Sequence, residues 1–153
     1  FDRINFKTNI TTSTPFLSDS KIIYSSLQNL LENSIKYSKE FGVNSSEFEV
    51  PFPNSQFSDT EHSRSVVSIT IQDNKEAVLI KVEDNGVGID EDILPKVFEM
   101  FYRGSNDTKG SGLGLYIVKA GAEKLKGTVA IQSKKNIGTT ITIHLPNQLS
   151  CKM

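Results

Sequence analysis

The chain has 153 residues, the length of one domain, and 37% of them are hydrophobic, which favours a single folded unit over a disordered chain. Its 17 basic and 18 acidic side chains leave a net charge of −1, which gives no basis for binding nucleic acid. The one cysteine, Cys151, excludes an internal disulfide and a cysteine-based zinc site, and a reducing compartment fits best.

Nothing in the sequence has the pattern of a targeting or anchoring segment. No apolar run approaches the roughly 18 residues of a membrane span, and the first ten residues lack the basic and then apolar order of a signal peptide. The chain also begins at Phe1 without an initiating Met. We therefore expect residues 1–153 to form one domain of a longer protein, and any membrane anchor of that parent would lie elsewhere.

Two regular elements are predicted in the first third of the chain. Alternating apolar residues predict a strand at 4–10. At 19–41 the apolar residues recur at steps of three and four, which predicts a long amphipathic helix capped by Ser18 or Asp19. Residues 42–65 are rich in acidic residues and serines without a sustained period, and we expect a loop there.

The remaining elements are mostly strands that are close in sequence. They are, in order, strands at 67–71 and 78–82 joined by a turn, a short helical piece at 91–98, an irregular stretch at 104–112, a helix from about 113, and strands at 129–132 and 139–145. This order produces mostly antiparallel pairs with helices on one face of the sheet. The predicted fold class is therefore α+β, a two-layer sandwich with a mixed, mostly antiparallel sheet.

Four positions of the first helix form a second stripe. Asn29, Asn33, Lys36 and Tyr37 follow at steps of four, three and one, and lie about 120° around the helix from the Leu and Ile stripe. One interpretation is a solvated outer face. The other is a binding role, because Asn is a poor residue for the middle of a helix and is usually chosen for a cap or a side-chain contact.

The segment VEDNGVGI, residues 82–89, also has two interpretations. Asp or Asn followed by Gly between apolar residues is among the strongest signals for a β-hairpin turn. A tight turn does not require the second glycine, Gly88, however. Together with Gly86, it would let the backbone approach a flat ligand. Asp84 would then accept a hydrogen bond from an amino group such as the exocyclic amine of adenine.

The segment GSGLGL, residues 110–115, places three glycines directly before the second helix. It differs from the dinucleotide-binding fingerprint, which needs a glycine where Leu115 stands, and it lacks the Gly-Lys-Ser/Thr of a P-loop. It is either a flexible linker or an anion site made of free backbone N–H groups at a helix start. From Arg103 to Lys126 five basic residues face two acidic ones, an excess of positive charge that favours phosphates.

Taken together, these segments resemble the motifs of the catalytic, ATP-binding domain of sensor histidine kinases. That domain belongs to the GHKL superfamily, which it shares with gyrase-type, heat-shock chaperone and mismatch-repair ATPases. The matching segments are NLLENSIKYS (29–38) for the N box, DNGVGI (84–89) for the first glycine box, FEMFYRG (98–104) for the F box, GSGLGL (110–115) for the second glycine box and IGTTITIHLP (137–146) for the last strand. The resemblance covers nearly the whole chain and implies the Bergerat-type α/β sandwich. Only the acidic loop at 42–65 is longer than it leads us to expect.

The resemblance implies a role for each matched residue of the first helix and for Asp84. Asn33 would ligate Mg²⁺ through its amide oxygen, and Asn29 would help to hold that coordination shell. Lys36 would reach the phosphates, and Tyr37 would pack on the adenine. Asp84 would bind the adenine amino group.

The glycine-rich segments would complete the nucleotide site. Gly86 and Gly88 would allow the close approach of the base, and Arg103 would steady the γ-phosphate, so the implied catalytic residues are Asn29, Lys36 and Arg103. Residues 104–112 would be a lid that is poorly ordered without nucleotide. The nucleotide-binding residues that the resemblance implies at the end of the lid are Gly110, Gly112, Leu113, Gly114 and Leu115.

A departure within the superfamily indicates which reaction to expect. The ATPase branches carry a Glu at the position of Asn29, where it activates water, so hydrolysis should be slow here. The kinase branch transfers the γ-phosphate to a histidine on a separate helical hairpin. Neither His62, in the acidic loop, nor His144, in the last strand, lies on an amphipathic helix, so we expect the phosphoacceptor to be missing from this chain.

The protein implied is therefore an ATP- and Mg²⁺-dependent protein-histidine kinase domain in the cytoplasm. Its expected partners are the dimerisation helices of its own parent protein and a downstream response regulator, without nucleic acid or direct membrane contact. Two alternatives stay open: a serine kinase of the anti-sigma type and an ATPase of the same superfamily. A degenerate scaffold is disfavoured, because Asn33, Asp84 and the glycine pattern are intact.

Overall fold

A computed structural model describes residues 4–38, 65–103 and 111–147. The predicted acidic loop, apart from Ser65, lies outside these ranges, as do His62, Gly110, Cys151 and most of the predicted lid. The elements are, in chain order, β1 (Ile4–Thr11), α1 (Ser20–Lys36), β2 (Ser65–Asp73), β3 (Ala77–Asp84), a 3₁₀ helix (Glu91–Lys96), α2 (Gly114–Lys124), β4 (Thr128–Lys134) and β5 (Gly138–Pro146).

The five strands form one sheet in the order β1-β2-β3-β5-β4. The pair β1 and β2 is parallel, whereas β2–β3, β3–β5 and β4–β5 are antiparallel. The two predicted hairpins and the mixed, mostly antiparallel sheet are thereby confirmed. None of the helices in the described part of the chain combines the length and the hydropathy that crossing a lipid bilayer requires.

One face of this sheet carries the core. Val82 of β3 lies directly opposite Ile141 of β5, and Ile80 lies opposite Ile143, so the buried residues of the two central strands share a face. Both helices cover that face. The buried apolar cluster comprises Leu30, Val67, Val78, Ile80, Val82, Val118, Ala122, Leu125, Ile141, Ile143 and Leu145. The predicted two-layer arrangement is confirmed.

Helix α1 begins as predicted and ends earlier than predicted. Asp19 is its N-cap, and the carboxylate accepts hydrogen bonds from the backbone N–H groups of Lys21 at 2.9 Å and Ile22 at 3.3 Å. The helix ends at Lys36, so its predicted continuation through Tyr37 and Ser38 is wrong, and the predicted residues 39–41 lie outside the described ranges. Tyr37 leaves helical geometry with φ −101° and ψ 14°, and its carbonyl accepts the Val87 N–H at 3.0 Å instead of continuing the helix.

The short helical piece and the second helix are close to their predicted places. The predicted helical piece at 91–98 is a 3₁₀ helix over 91–96, with Pro95 inside it, which has no N–H to donate. Helix α2 starts at Gly114 with Leu113 as its N-cap residue. His144 is exposed on β5, where it alternates with the buried Ile143 and Leu145.

The connection from β1 to α1 is held by one carboxylate at the end of β2. Asp73 accepts hydrogen bonds from the backbone N–H groups of Ser13 and Thr14, both at 2.7 Å, and from the hydroxyls of Thr14 at 2.7 Å and Ser13 at 3.2 Å. These donors, the Thr14 hydroxyl first, lower the pKa of Asp73 from 3.8 to about 2. The loop is therefore tied to the sheet by the ionised form.

We expect Asp73→Asn to reduce the acid sensitivity of the fold. Because the pKa of Asp73 is lower in the folded state than in the unfolded chain, its contribution to the free energy of unfolding is complete above about pH 4 and is lost as the pH falls through about 2. The variant should be less stable than the unaltered chain at pH 6, and the two should converge toward pH 2. Urea unfolding at several pH values measures this, with Asp92→Asn, at an exposed carboxylate, as the control. A stability difference independent of pH would contradict the account.

Candidate functional site

A cavity of about 540 Å³ opens between α1, the segment after β3, the 3₁₀ helix, the start of α2 and the β4–β5 turn. Much of its wall is apolar, with Leu30, Val82, Ile89, Ile93, Val97, Leu115 and Ile141. The polar groups are Asn29, Glu32, Asn33, Ser34, Lys36, Asp84, Asp90, Arg103, Ser111, Lys135, Asn136 and Thr139. An apolar cavity with a limited set of polar groups is typical of a small-molecule or nucleotide site.

The polar stripe of α1 faces this cavity. Asn29, Asn33, Lys36 and Tyr37 all line it, so they do not form a purely solvated outer face. The Lys36 ammonium lies 4.8 Å from the centroid of the Tyr37 ring, which places a cation over an aromatic face at the end of the helix. Leu30, between these positions, is 1% exposed and belongs to the core. The apolar stripe of α1 therefore packs in the core, and the polar stripe lines the cavity.

The start of α2 lies directly over the two asparagines. A Cβ atom on Gly114 would be 3.1 Å from Asn29 Oδ1 and 3.4 Å from Asn33 Nδ2, so the site leaves little room for a side chain. Asn29 is fixed because its Nδ2 donates to the Ser25 carbonyl at 2.8 Å. The first turn of α2 has no side-chain cap. Its N–H groups and the positive end of the helix dipole are therefore presented beside two amide side chains.

Asp84 stands at the end of β3 with hydrogen-bond donors from three parts of the chain. Oδ1 accepts the Gly86 N–H at 2.9 Å, Oδ2 accepts the Ser34 hydroxyl at 3.2 Å, and the backbone N–H of Thr139 also donates to the carboxylate. Burial raises the pKa of Asp84 above its usual value of 3.8, and these hydrogen bonds offset only part of that effect. The cavity thus contains a partly desolvated acceptor whose position is fixed.

The DNG sequence does not form a hairpin turn. Strand β3 is followed by the 3₁₀ helix, and its neighbours in the sheet are β2 and β5. Asn85 instead accepts the Val66 N–H with its side-chain oxygen at 2.8 Å, which ties the segment to β2. The interpretation of residues 82–89 as a simple hairpin is wrong, because the strand that would complete a hairpin is absent at this point of the chain.

The two glycines of this segment have a packing reason that the sequence did not show. A Cβ on Gly86 would collide with the Tyr37 carbonyl, and one on Gly88 would collide with the Lys134 carbonyl. Gly88 also has φ +65°, a conformation that glycine adopts without strain. Both glycines therefore let the segment pass between the end of α1 and the β4–β5 turn. Gly88 lines the cavity, whereas Gly86 lies behind its wall.

The two described segments that flank residues 104–110 meet at the edge of the cavity. The Phe101 N–H donates to the Gly112 carbonyl at 3.1 Å, and a Cβ on Gly112 would lie 2.7 Å from the Phe101 carbonyl carbon. This contact holds Arg103 and Ser111 at the cavity wall.

Of the two leucines predicted to bind the nucleotide, Leu115 lines the cavity and Leu113 does not. The Leu113 carbonyl accepts the Ile117 N–H at 2.9 Å at the start of α2.

Comparison with known proteins identifies the family. The sequence pattern described as "Histidine kinase-, DNA gyrase B-, and HSP90-like ATPase" matches residues 18–149. The chain belongs to this family. The predicted superfamily is thereby confirmed.

Relatives of this HATPase domain include proteins named as sensors and as sensor-like histidine kinases. It is 32% identical over 125 residues to the heme sensor protein HssS of Staphylococcus saprophyticus, with 82% of this chain covered. It is 33% identical over 147 residues to the sensor-like histidine kinase SenX3 of Mycobacterium tuberculosis, with 94% covered. The domain spans 22% of HssS and 30% of SenX3, so both relatives are much longer than this chain.

Solved structures share the fold. The mycobacterial sensor histidine kinase MprB superposes with a TM-score of 0.69 at 25% identity, covering 95% of this chain and 84% of the other. The catalytic domain of histidine kinase ThkA has the same TM-score at 22% identity, covering 95% and 81%, which supports the fold alone. Together with the element order, these matches confirm the predicted fold class.

Sequence reasoning missed the contribution of the β4–β5 hairpin to the site. Lys135 and Asn136 of the turn and Thr139 of β5 line the cavity, and the Lys135 ammonium bonds to Asp90 at 2.8 Å. The Asn136 N–H also donates to the Val87 carbonyl at 2.7 Å. The alternation in β5 placed Thr139 and Ile141 on one face, but no local signal showed that this face adjoins Asp84.

The polar groups that line the cavity suit a metal ion that is already bound to a nucleotide. Within residues 4–38, 65–103 and 111–147, no three His, Cys, Asp or Glu side chains converge as a metal-binding group. Asn33 presents a neutral amide at the wall of the cavity. Mg²⁺ prefers oxygen ligands, keeps several waters and is commonly held by few protein groups plus phosphates, so this donor set fits a nucleotide-bound Mg²⁺.

We expect Asp84→Asn to remove a pH-dependent penalty on folding. Because burial raises the pKa of Asp84 above that of the unfolded chain, the ionised carboxylate destabilises the fold, and this penalty grows as the pH rises through the folded-state pKa. The free energy of unfolding of the variant, relative to that of the unaltered chain, should therefore be higher at pH 7 than at pH 3.5, which lies below the usual pKa of 3.8. Urea unfolding across this range measures the difference. A difference that is constant with pH, or that falls as the pH rises, would contradict the assignment.

Proposed function

We propose that this chain is the catalytic domain of a sensor histidine kinase that binds Mg-ATP in the cavity and transfers the γ-phosphate to a histidine of its parent protein. The observation that supports this most directly is the placement of Asp84 and the asparagine stripe of α1 in one cavity, within the family match at 18–149. The domain would act in the cytoplasm.

The contacts along α1 suggest how the nucleotide is oriented. Asn29 and Asn33 adjoin Gly114 at the start of α2, whereas Ser34 contacts Asp84 farther along the helix. A helix rises about 1.5 Å per residue, so Asn29 and Ser34, which are five residues apart, are separated by roughly 7.5 Å along the axis. We therefore place the phosphates at the α2 end of the cavity and the adenine at the Asp84 end.

The adenine end combines an acceptor with apolar walls. The Asp84 carboxylate would accept a hydrogen bond from the exocyclic amine, and a charged acceptor adds more than a neutral one. Ile93, Val97 and Ile141 supply the apolar surface for the ring. Tyr37, which is 37% exposed at the rim, is our proposed additional contact for the base.

The phosphate end would work by positioning and charge. Asn33 would ligate Mg²⁺ with its amide oxygen, and Asn29 would support that shell; the metal supplies neutralisation of the triphosphate charge. Arg103, Lys36 and the first N–H groups of α2 are the proposed positive groups for the phosphates. Phosphoryl transfer depends mainly on positioning and electrostatic stabilisation, so no nucleophile is required from this site.

Hydrolysis needs a base that Asn29 cannot supply. Its amide is neutral, and its Nδ2 is already engaged with the Ser25 carbonyl at 2.8 Å. One observation favours the ATPase alternative, because Glu32 also lines the cavity and carries a carboxylate. Its Oε1 accepts a hydrogen bond from Gln28 at 2.8 Å. If a carboxylate of α1 activated water, it would be this one.

The acceptor histidine would come from another part of the parent protein. His144 is exposed on β5 and is not among the residues that line the cavity. The greater length of HssS and SenX3 supports a parent with further segments. We propose dimerisation helices of that parent as the phosphoacceptor and a response regulator as the next carrier of the phosphoryl group.

We expect the chain to bind Mg-ATP, to hydrolyse it slowly and to label a histidine on added dimerisation helices. General-base assistance contributes about 10²–10⁴-fold, so its absence should be evident in a phosphate-release assay. The label should be acid-labile and alkali-stable, as expected for phosphohistidine. The matched control is Glu32→Gln, which should leave the slow hydrolysis unchanged. Rapid hydrolysis that Glu32→Gln abolishes would support the ATPase, and acid-stable label on an added partner would support the serine kinase.

A further inference from the structure

A second cavity, a groove of about 330 Å³, lies between the two helices, away from the cavity that holds Asp84. Gly114 at the start of α2 adjoins Asn29 of α1, whereas Gly121 adjoins Ile22, seven residues earlier in α1. A helix rises about 1.5 Å per residue, so roughly 10 Å separates these two contacts along the axis. We call this second cavity the helix groove.

The helix groove exposes apolar surface. A Cβ atom on Gly121 would lie 2.9 Å from Ile22 Cγ2, so the two helices are in close contact there. Tyr116, Ile117 and Ala120 of α2 line the groove, and Ile117 is 39% exposed. A continuous exposed apolar surface marks an interaction site more often than single exposed side chains do.

Two exposed lysines, Lys21 and Lys124, also line the helix groove. Lys124 is in the last turn of α2, where the helix dipole favours a positive charge, but Lys21 is in the first turn of α1, where the dipole disfavours one. The first turn of α1 contains no acidic residue. Within residues 4–38, 65–103 and 111–147, neither ammonium group has an ion-pair partner. The groove therefore suits an apolar side chain that is flanked by carboxylates.

The chain itself contains a segment with this chemistry. Residues 39–64 contain five acidic and two basic residues, together with four of the nine phenylalanines of the chain. Phe48 stands between Glu47 and Glu49, so an aromatic side chain has a carboxylate on either side of it in the sequence. Burying one phenylalanine stabilises a contact by about 1.5–3 kcal/mol, which favours an apolar groove as its place.

The segment is long enough to reach the helix groove. Ser25, which lines the groove, is 13 residues before Ser38, the last described residue ahead of the segment. This interval corresponds to roughly 20 Å along a helix. The ten residues from Ser38 to Phe48 span up to about 33 Å when extended, so the distance imposes no obstacle.

We propose that the helix groove is the docking surface for the acidic segment 39–64 of the same chain. The Phe48 side chain occupies the groove, and Glu47 and Glu49 pair with Lys21 and Lys124. This contact gives the acidic segment a role and neutralises the unfavourable charge in the first turn of α1. It does not depend on ATP binding.

The test is carbodiimide cross-linking of the full chain without nucleotide, followed by mass spectrometry. The reagent joins a carboxylate to an amine in direct contact as an amide and takes up the water that is lost. Links from Lys21 or Lys124 to Glu47 or Glu49 are expected. The Lys135–Asp90 pair, at 2.8 Å, is the internal positive control.

The source of the occupant is determined in an equal mixture of isotopically labelled and unlabelled chain. Links within single chains support the proposal, whereas links that join labelled to unlabelled chains indicate a second copy and overturn it. The proposal is also overturned if the Lys135–Asp90 link forms and residues 39–64 form no link to Lys21 or Lys124.

Two variants test the apolar contact while every charge is retained. Phe48→Ser should lose most of the cross-links, measured relative to the Lys135–Asp90 link. Phe57→Ser, a matched change in the same segment, should retain them. An unchanged yield in Phe48→Ser would show that charge alone brings the segment to the lysines, which overturns the assignment of the groove.

The stability of Lys21→Glu provides a second measurement, whose direction differs between the two accounts. Through the helix dipole alone, an acidic residue in the first turn should raise the urea midpoint. If Glu47 and Glu49 contact Lys21, the same change should lower the midpoint, and it should raise the midpoint in a chain that carries Glu47→Gln and Glu49→Gln. Lys119→Glu, at an exposed lysine of α2 that does not line the groove, is the control and should have the same effect in both chains. An equal rise for Lys21→Glu in both chains would overturn the proposal and leave ATP binding untouched.

Discussion

The site depends on keeping the Asp84 carboxylate in place inside a partly apolar cavity. Its three donors are the Ser34 hydroxyl of α1, the Gly86 N–H of the following segment and the backbone N–H of Thr139 on β5. Because these donors come from the helix layer, the loop and the sheet, the carboxylate is held only when all three are assembled. Burial still raises the pKa of this carboxyl group. The ionised form therefore destabilises the fold at the position where the proposed site requires a strong hydrogen-bond acceptor.

The surrounding backbone contacts follow from the same constraint. The Tyr37 carbonyl accepts the Val87 N–H at 3.0 Å, and the Asn136 N–H donates to the Val87 carbonyl at 2.7 Å, so one residue connects α1 with the β4–β5 turn. Gly86 and Gly88 permit this close passage because neither carries a Cβ. Asp84 of β3 is paired with Thr139 of β5, and Thr139 is paired with Ser133 of β4, so the connection continues across the sheet.

The sequence predicted the parts of the structure that local patterns determine. The Asp19 cap, the two hairpins and the second stripe of α1 all follow from residue spacing or turn chemistry within one element. The end of α1 could not be predicted, because it depends on Val87, far along the chain. Thr139 was missed for the same reason: its place beside Asp84 results from the pairing of β3 with β5. Long-range pairing, not composition, determines these features.

The most direct test of the account is the affinity of ATP for the chain with and without the Asp84 carboxylate. Removing a charged acceptor costs about 1.5–3 kcal/mol, so Asp84→Ala should weaken ATP binding roughly 10- to 150-fold in calorimetry and should remove the preference for ATP over GTP. The matched control is Asp90→Ala, which removes another carboxylate of the cavity wall, the one paired with Lys135. It should leave that preference intact. Equal ATP affinity in Asp84→Ala and the unaltered chain would contradict the central role of Asp84.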